Sequence, residues 1–153
     1  MKVAIIDDDE SVGRSISRLL LAAGMCPSAF TSAEEFLSAR PSGIDCVLLD
    51  ISLGAGMSGP ELHRQLLDQG DRTPVIYHSA TDDPKVKAAA RRLGCSAFIR
   101  KGVASKLMLS ELARIREDRS LESTKGSMEP LAGRDGYRSP GSLPRWSQTR
   151  HNR

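Results

Sequence analysis

The sequence predicts an α/β fold: a five-stranded parallel sheet, doubly wound by helices, in strand order 2-1-3-4-5. Three observations predict it. Five short apolar runs alternate with five stretches of helical periodicity over residues 1–117. The middle run, Val47-Leu48-Leu49, is apolar at consecutive positions, as a strand covered on both faces must be. The connections are short, and right-handed crossovers leave few topologies, of which this is the common five-stranded one.

The elements follow in order. Lys2 to Ile6 (KVAII) is the first strand, rich in β-favouring Val and Ile, and it runs into Asp7, Asp8 and Asp9. Acids suit a helix N-terminus, so a helix starts near Asp9 or Glu10, with Val12, Ile16, Leu19, Leu20 and Ala23 on its apolar face and Gly24 as its stop. Cys26 to Thr31 is a weak second strand. Ser32 and Glu35 have capping-box spacing for a helix carrying Phe36 and Leu37. Asp45 to Leu49 is the third strand, closed by Asp50. A glycine-rich loop (Gly54, Gly56, Gly59) leads past Ser58 to a helix with Leu62, Leu66 and Leu67. Thr73 to His78 is the fourth strand. Asp82 or Asp83 caps a helix with Pro84 in its first turn. Cys95 to Ile99 is the fifth strand, leading to Arg100 and Lys101, and a last helix covers about 104–116.

Composition bounds the class. The 153 residues are 39% hydrophobic and 27% charged, as expected of a soluble globular chain. No apolar stretch approaches the roughly 20 residues of a membrane helix, and Met1-Lys2 leads directly into a strand rather than a signal peptide. Three scattered cysteines, Cys26, Cys46 and Cys95, form neither a disulfide framework nor a metal pair. The expected location is cytoplasmic. The net charge of +3 resides beyond residue 117, where seven Lys/Arg stand against four Asp/Glu. That segment, 118–153, has 13 Gly, Pro or Ser and no apolar period, and is expected to be a disordered basic tail following a 1–117 domain. It is too short and polar for a helix-turn-helix DNA-binding domain.

In this fold ligands bind at the carboxyl edge of the sheet. The strand ends place Asp7 and Asp8, Asp50, Ser79 and Lys101 along that edge, on strands 1, 3, 4 and 5, which are neighbours in the predicted order. Taken singly, each has an ordinary role as a helix cap, a turn residue or a solvated charge. Together, three carboxylates repel and invite a hard divalent cation, best Mg²⁺. A hydroxyl and an ammonium facing them suit a phosphoryl group. Asp50, in the middle, is the candidate nucleophile, forming an acyl phosphate.

These residues resemble the receiver domain of a two-component response regulator, a flavodoxin-like fold. The resemblance rests on Ile5-Ile6-Asp7-Asp8-Asp9-Glu10-Ser11-Val12, on Val47-Leu48-Leu49-Asp50, on Met57-Ser58-Gly59-Pro60-Glu61-Leu62, on Pro74-Val75-Ile76 with Ser79-Ala80, and on Phe98 to Lys101. It covers about residues 1–117. It implies that Asp50 is the phosphoacceptor, that Asp7, Asp8, Asp50 and the backbone carbonyl of Ser52 serve Mg²⁺, that Ser79 and Lys101 contact the phosphoryl group, and that Phe98 is the switch aromatic paired with Ser79. It further implies a histidine kinase or phosphotransfer protein as donor. The output is a face of helix 4, strand 5 and helix 5 that changes affinity for a downstream protein or a second copy of the chain. The protein is then not an enzyme in the ordinary sense but a phosphoacceptor that assists its own phosphorylation and dephosphorylation.

The chain departs from the family pattern at Gly54-Ala55-Gly56, which lengthens the loop after Asp50, at Gly102, where a proline usually follows the lysine, and at His78, where apolar residues are common. These departures keep a second reading open, a degenerate receiver acting as a phosphorylation-independent interaction module. A hydrolase with an aspartyl-phosphate intermediate lacks its second acid, since Ser52 stands two residues after Asp50. Nucleic-acid binding through the tail, with Tyr137 and Trp146, is disfavoured because its arginines are interleaved with acids.

Overall fold

The computed structural model describes residues 1–103 and 105–126. Five parallel strands, β1 (Lys2–Ile6), β2 (Cys26–Phe30), β3 (Cys46–Leu49), β4 (Val75–Ser79) and β5 (Ala97–Arg100), lie in the order β2-β1-β3-β4-β5. The helices α1 (Glu10–Ala22), α2 (Ala33–Ala39), α3 (Gly59–Asp68), α4 (Pro84–Arg92) and α5 (Ser105–Gly126) alternate with them. This is the doubly wound, flavodoxin-like arrangement.

Strand alternation splits the core in two. Val3, Ile5, Cys46, Leu48, Ile76 and Ile99 point to one face, where Ile16 and Leu20 of α1 and Met108, Leu112 and Ile115 of α5 cover them. Ala4, Ile6, Val47, Leu49, Val75 and Tyr77 point to the other, under Phe36, Leu62, Leu66 and Ala90 of α2, α3 and α4. Each fully buried Leu or Ile contributes about 1.5–3 kcal/mol. The central strands pair in register, with Ile6 beside Leu49 and Leu49 beside Tyr77. Asp7 and Asp50 therefore leave adjacent strands at the same level.

Caps position the helices. Asp9 accepts the N–H groups of Ser11 and Val12 and starts α1. Ser58 and Glu61 form a reciprocal capping box on α3. Asp83 caps α4, with Pro84 in its first turn. At α2 the expected box is only half formed. Ser32 accepts the Glu35 N–H, but the Glu35 carboxylate reaches past it to the N–H and hydroxyl of Thr31.

The expected disorder is corrected over residues 118–126, which continue α5 to Gly126. Ile115 is the last buried residue of that helix, so no apolar period announces the extension. Polar contacts hold it instead. Arg114 pairs with Asp118, and Arg119 reaches the Asp45 carboxylate at 3.4 Å. The rest of the expected tail, 127–153, lies outside the described residues. Among those described, no helix is long and apolar enough to cross a membrane.

Candidate functional site

Asp7, Asp8 and Asp50 come together at the carboxyl edge. One carboxylate oxygen from each lies within 4.8 Å of the others. Asp7 and Asp50 are buried and Asp8 is exposed, so the cluster opens to solvent on one side. Lys101 spans the two buried acids, with Nζ 2.8 Å from Asp7 Oδ2 and 2.8 Å from Asp50 Oδ2. Partial burial pulls the lysine pKa down. Hydrogen bonds and charge from Asp50 and Asp7 outweigh it, so the pKa is raised and the ammonium stays charged. The third acid of the run, Asp9, is the α1 cap, its pKa lowered chiefly by the Ser11 hydroxyl. Asp7 accepts the Asp9 N–H at 3.0 Å, which fixes its carboxylate.

Ser79 ends β4 and is buried. Its Oγ accepts the Thr81 N–H at 3.4 Å, and its carbonyl accepts the Lys101 N–H at 2.8 Å. Strand β4 thus holds the backbone of the lysine whose side chain crosses to Asp50.

The sequence profile described as the response regulator receiver domain matches residues 3–113. The chain belongs to the response regulator receiver family. It is 29% identical over 149 residues to the transcriptional regulatory protein FixJ of Azorhizobium caulinodans, covering 97% of this chain and 69% of FixJ. It is 34% identical over 100 residues to the transcriptional regulatory protein TdiR of Thauera aromatica, covering 65% of this chain but 44% of TdiR. The chain thus spans less than half the length of several curated relatives. A receiver protein from Burkholderia phymatum superposes with a TM-score of 0.65 at 36% identity, over 74% of this chain and 93% of that one. The BeF3-activated DrrB receiver domain, at 24% identity and a TM-score of 0.69 over 76% and 97% of the two chains, shares the fold.

In this receiver the remaining expected residues fall as follows. Phe98 of β5 is half-buried beside its strand partner Tyr77, ring centroids 6.2 Å apart, and Lys87 Nζ lies 5.8 Å from its ring centre. Ser52 is exposed in the loop two residues past Asp50. Gly102 has φ +84°, a left-handed value closed to proline, and Lys101 still reaches both acids. His78 is half-buried. Burial and the nearby Lys101 lower its pKa, and its Nδ1 has no hydrogen-bond partner among the described residues.

Two contacts carry no signal in the sequence pattern. His63 of α3 and Tyr77 of β4 form a buried hydrogen-bonded pair at 3.0 Å. Glu34 of α2 accepts the Met57 N–H at 2.7 Å, joining α2 to the loop after Asp50. Both span long stretches of sequence, and neither follows from helix or strand periodicity.

The donor set fits a hard divalent cation. Its side-chain donors are carboxylate oxygens, close together, with more negative charge than Lys101 neutralises.

Proposed function

We propose that this receiver accepts a phosphoryl group on Asp50 from the phosphohistidine of a histidine kinase or phosphotransfer protein, and thereby switches a protein-interaction face. The observation that carries the reading is the Lys101 ammonium bridging Asp7 and Asp50 beside the solvent-open Asp8. An Asp50 carboxylate oxygen attacks phosphorus in line. The P–N bond breaks, its electron pair stays on the imidazole, and an acyl phosphate remains. Mg²⁺ held by Asp7, Asp8, Asp50 and the Ser52 carbonyl would neutralise charge developing on the transferring group. Lys101 supplies a fixed positive charge to the phosphoryl oxygens. Ser79 already accepts from Thr81, which leaves its own O–H free to donate to a phosphoryl oxygen. Drawing Ser79 toward the phosphate biases the loop before α4 and the space beside Phe98, and so the α4–β5–α5 face. That face then binds a downstream protein or a second copy of the chain. The receiver is cytoplasmic on this reading, and it assists its own phosphorylation and hydrolysis without acting on a separate substrate.

Phosphotransfer profiling against candidate kinases tests this. The expected result is hydroxylamine-labile label on the wild-type protein and none on Asp50→Asn. Label retained by Asp50→Asn would overturn the assignment. A wild-type protein that binds its partners unlabelled and never accepts phosphate would support the degenerate, phosphorylation-independent module instead.

A further inference from the structure

We propose that Glu34 is a positioning residue for the phosphoacceptor loop, a carboxylate clasp from α2 that holds residues 51–58 in the shape Mg²⁺ binding requires. This rests on the reading of Asp50 as a Mg²⁺-dependent phosphoacceptor.

The loop is long and glycine-rich, so little in its own sequence fixes its path. It is anchored at its far end by close packing. Gly59, the first residue of α3, lies so near Asp50 that a Cβ there would sit 2.0 Å from the Asp50 carbonyl oxygen. Leu53 is buried in the core, and the Ser58 N–H is taken by Glu61. Between those anchors, Gly54 turns at φ +76° with its Cβ position 3.6 Å from Asp8 Oδ2. Ala55 and Gly56 then follow with no side chain able to reach the core.

Glu34 closes this gap. Its Oε1 accepts the Met57 N–H at 2.7 Å. A Cβ on Gly56 would lie 2.7 and 2.9 Å from the two carboxylate oxygens, so only glycine lets the carboxylate approach the loop backbone this closely. Gly56 is not in the left-handed region, so what a side chain there would disturb is the Glu34 carboxylate and not the backbone angle. The Met57 N–H, the largest influence, holds the Glu34 carboxyl below the usual glutamate pKa, so the clasp is ionised at neutral pH. The loop therefore lies between two carboxylates, Asp8 at Gly54 and Glu34 at Gly56–Met57. Release of Glu34 frees the segment that follows Ser52 and faces Asp8.

The geometry gives two independent ways to open the clasp. Glu34→Ala removes the acceptor. Gly56→Ala pushes the carboxylate away while leaving it in the protein, and adds no backbone strain. Glu34→Gln keeps an amide oxygen for Met57 and serves as the conservative rescue. Three measurements on the full chain decide: Met57 amide exchange without metal, calorimetric Mg²⁺ titration, and labelling from acetyl phosphate across Mg²⁺ concentration, with Asp50→Asn as control. In Glu34→Ala and in Gly56→Ala, Met57 exchange should quicken. The Mg²⁺ half-saturation should rise about threefold to tenfold, the lower range for an outer-shell partner because Glu34 is exposed. The labelling rate at saturating Mg²⁺ should stay within about twofold of wild type, since the acids and Lys101 are untouched. Glu34→Gln should fall between, and the double variant should be no worse than either single one. A labelling wild type whose Glu34→Ala and Gly56→Ala variants keep its Met57 exchange and Mg²⁺ affinity would sink this proposal alone. A loss of saturating rate with no shift in half-saturation would also sink it. A wild type that neither binds Mg²⁺ nor labels sinks the phosphoacceptor reading, and this proposal with it.

Discussion

At the carboxyl end of the sheet, three carboxylates meet one ammonium. At the amino end, the carboxylate of Asp45 meets the Lys2 backbone N–H at 2.7 Å and the Arg119 guanidinium at 3.4 Å. This contact pairs one acid with one guanidinium and is partly exposed, an ordinary clamp between the chain's first strand, the turn into β3 and the later part of α5. The carboxyl end carries a surplus of negative charge, and two of its three acids are buried. A protein shaped only for stability would remove such a surplus, because buried charge without full compensation costs free energy. The proposed function puts this surplus to use as a site for a cation and a phosphoryl group.

The largest expected effect comes from removing the one compensating charge. Lys101→Met leaves Asp7 and Asp50 without the ammonium that bridges them. Breaking such a pair costs about 3–5 kcal/mol when buried, discounted here to about 2–4 kcal/mol because the lysine keeps some solvent contact. Urea denaturation should show it, and added Mg²⁺ should restore part of the loss if the acids bind the ion. A Lys101→Met protein as stable as wild type would mean the carboxyl end is no more strained than the amino end. Removing surplus charge should act in the opposite direction. Asp8→Asn should raise the metal-free melting temperature by about 2–4 °C at low salt and abolish the further rise on adding Mg²⁺. An Asp8→Asn protein that melts lower than wild type would remove the argument from surplus charge.

Much of this contrast is legible in the sequence, for a physical reason. Ile5-Ile6-Asp7 and Leu48-Leu49-Asp50 each switch from apolar to acidic where a strand leaves the sheet, and parallel pairing puts neighbouring strand ends together. Asp83-Pro84 and Ser58 to Glu61 announce helix starts because capping is local chemistry. What the sequence does not announce is contact between distant segments. Glu34 meets Met57, and His63 meets Tyr77, across turns of the chain that no periodicity spans. The end of α5 is missed for a different reason. A helix held by Arg119 and Asp45 rather than by an apolar face has no hydrophobic signature.

His63 is a buried polar group with a neutral partner, and it contrasts with the ionic cluster. Burial lowers its pKa below 6.5. Between that lowered value and 6.5 the unfolded imidazole is protonated while the buried one is not, so unfolding takes up a proton. Stability is therefore complete above about pH 6.5 and is lost as pH falls from there toward the lowered pKa. His78, also lowered by burial, adds to the same slope. Denaturant midpoints measured from pH 7.5 to 5 should fall less steeply for His63→Gln than for wild type. Equal slopes would mean that the imidazole reaches water freely in the folded protein.

The smallest effect belongs to the amino-end clamp, and Cys46 reports it. Arg119→Ala removes one partly exposed ion pair, worth about 0–1 kcal/mol, so the melting temperature should hardly move. Local opening is a more sensitive measure. Cys46 begins β3 directly after Asp45, and burial pushes its thiol up to about 12. At pH 8 its thiolate fraction is then on the order of one in ten thousand, so alkylation should be far slower than at exposed Cys26 and should proceed mainly through openings. If Arg119 fastens the end of α5 over the turn into β3, Arg119→Ala should speed Cys46 alkylation several-fold and leave Cys26 unchanged. Unchanged Cys46 kinetics would mean that packing around Ile115 alone closes this end, and that the extension of α5 is an overhang with no part in holding the sheet together.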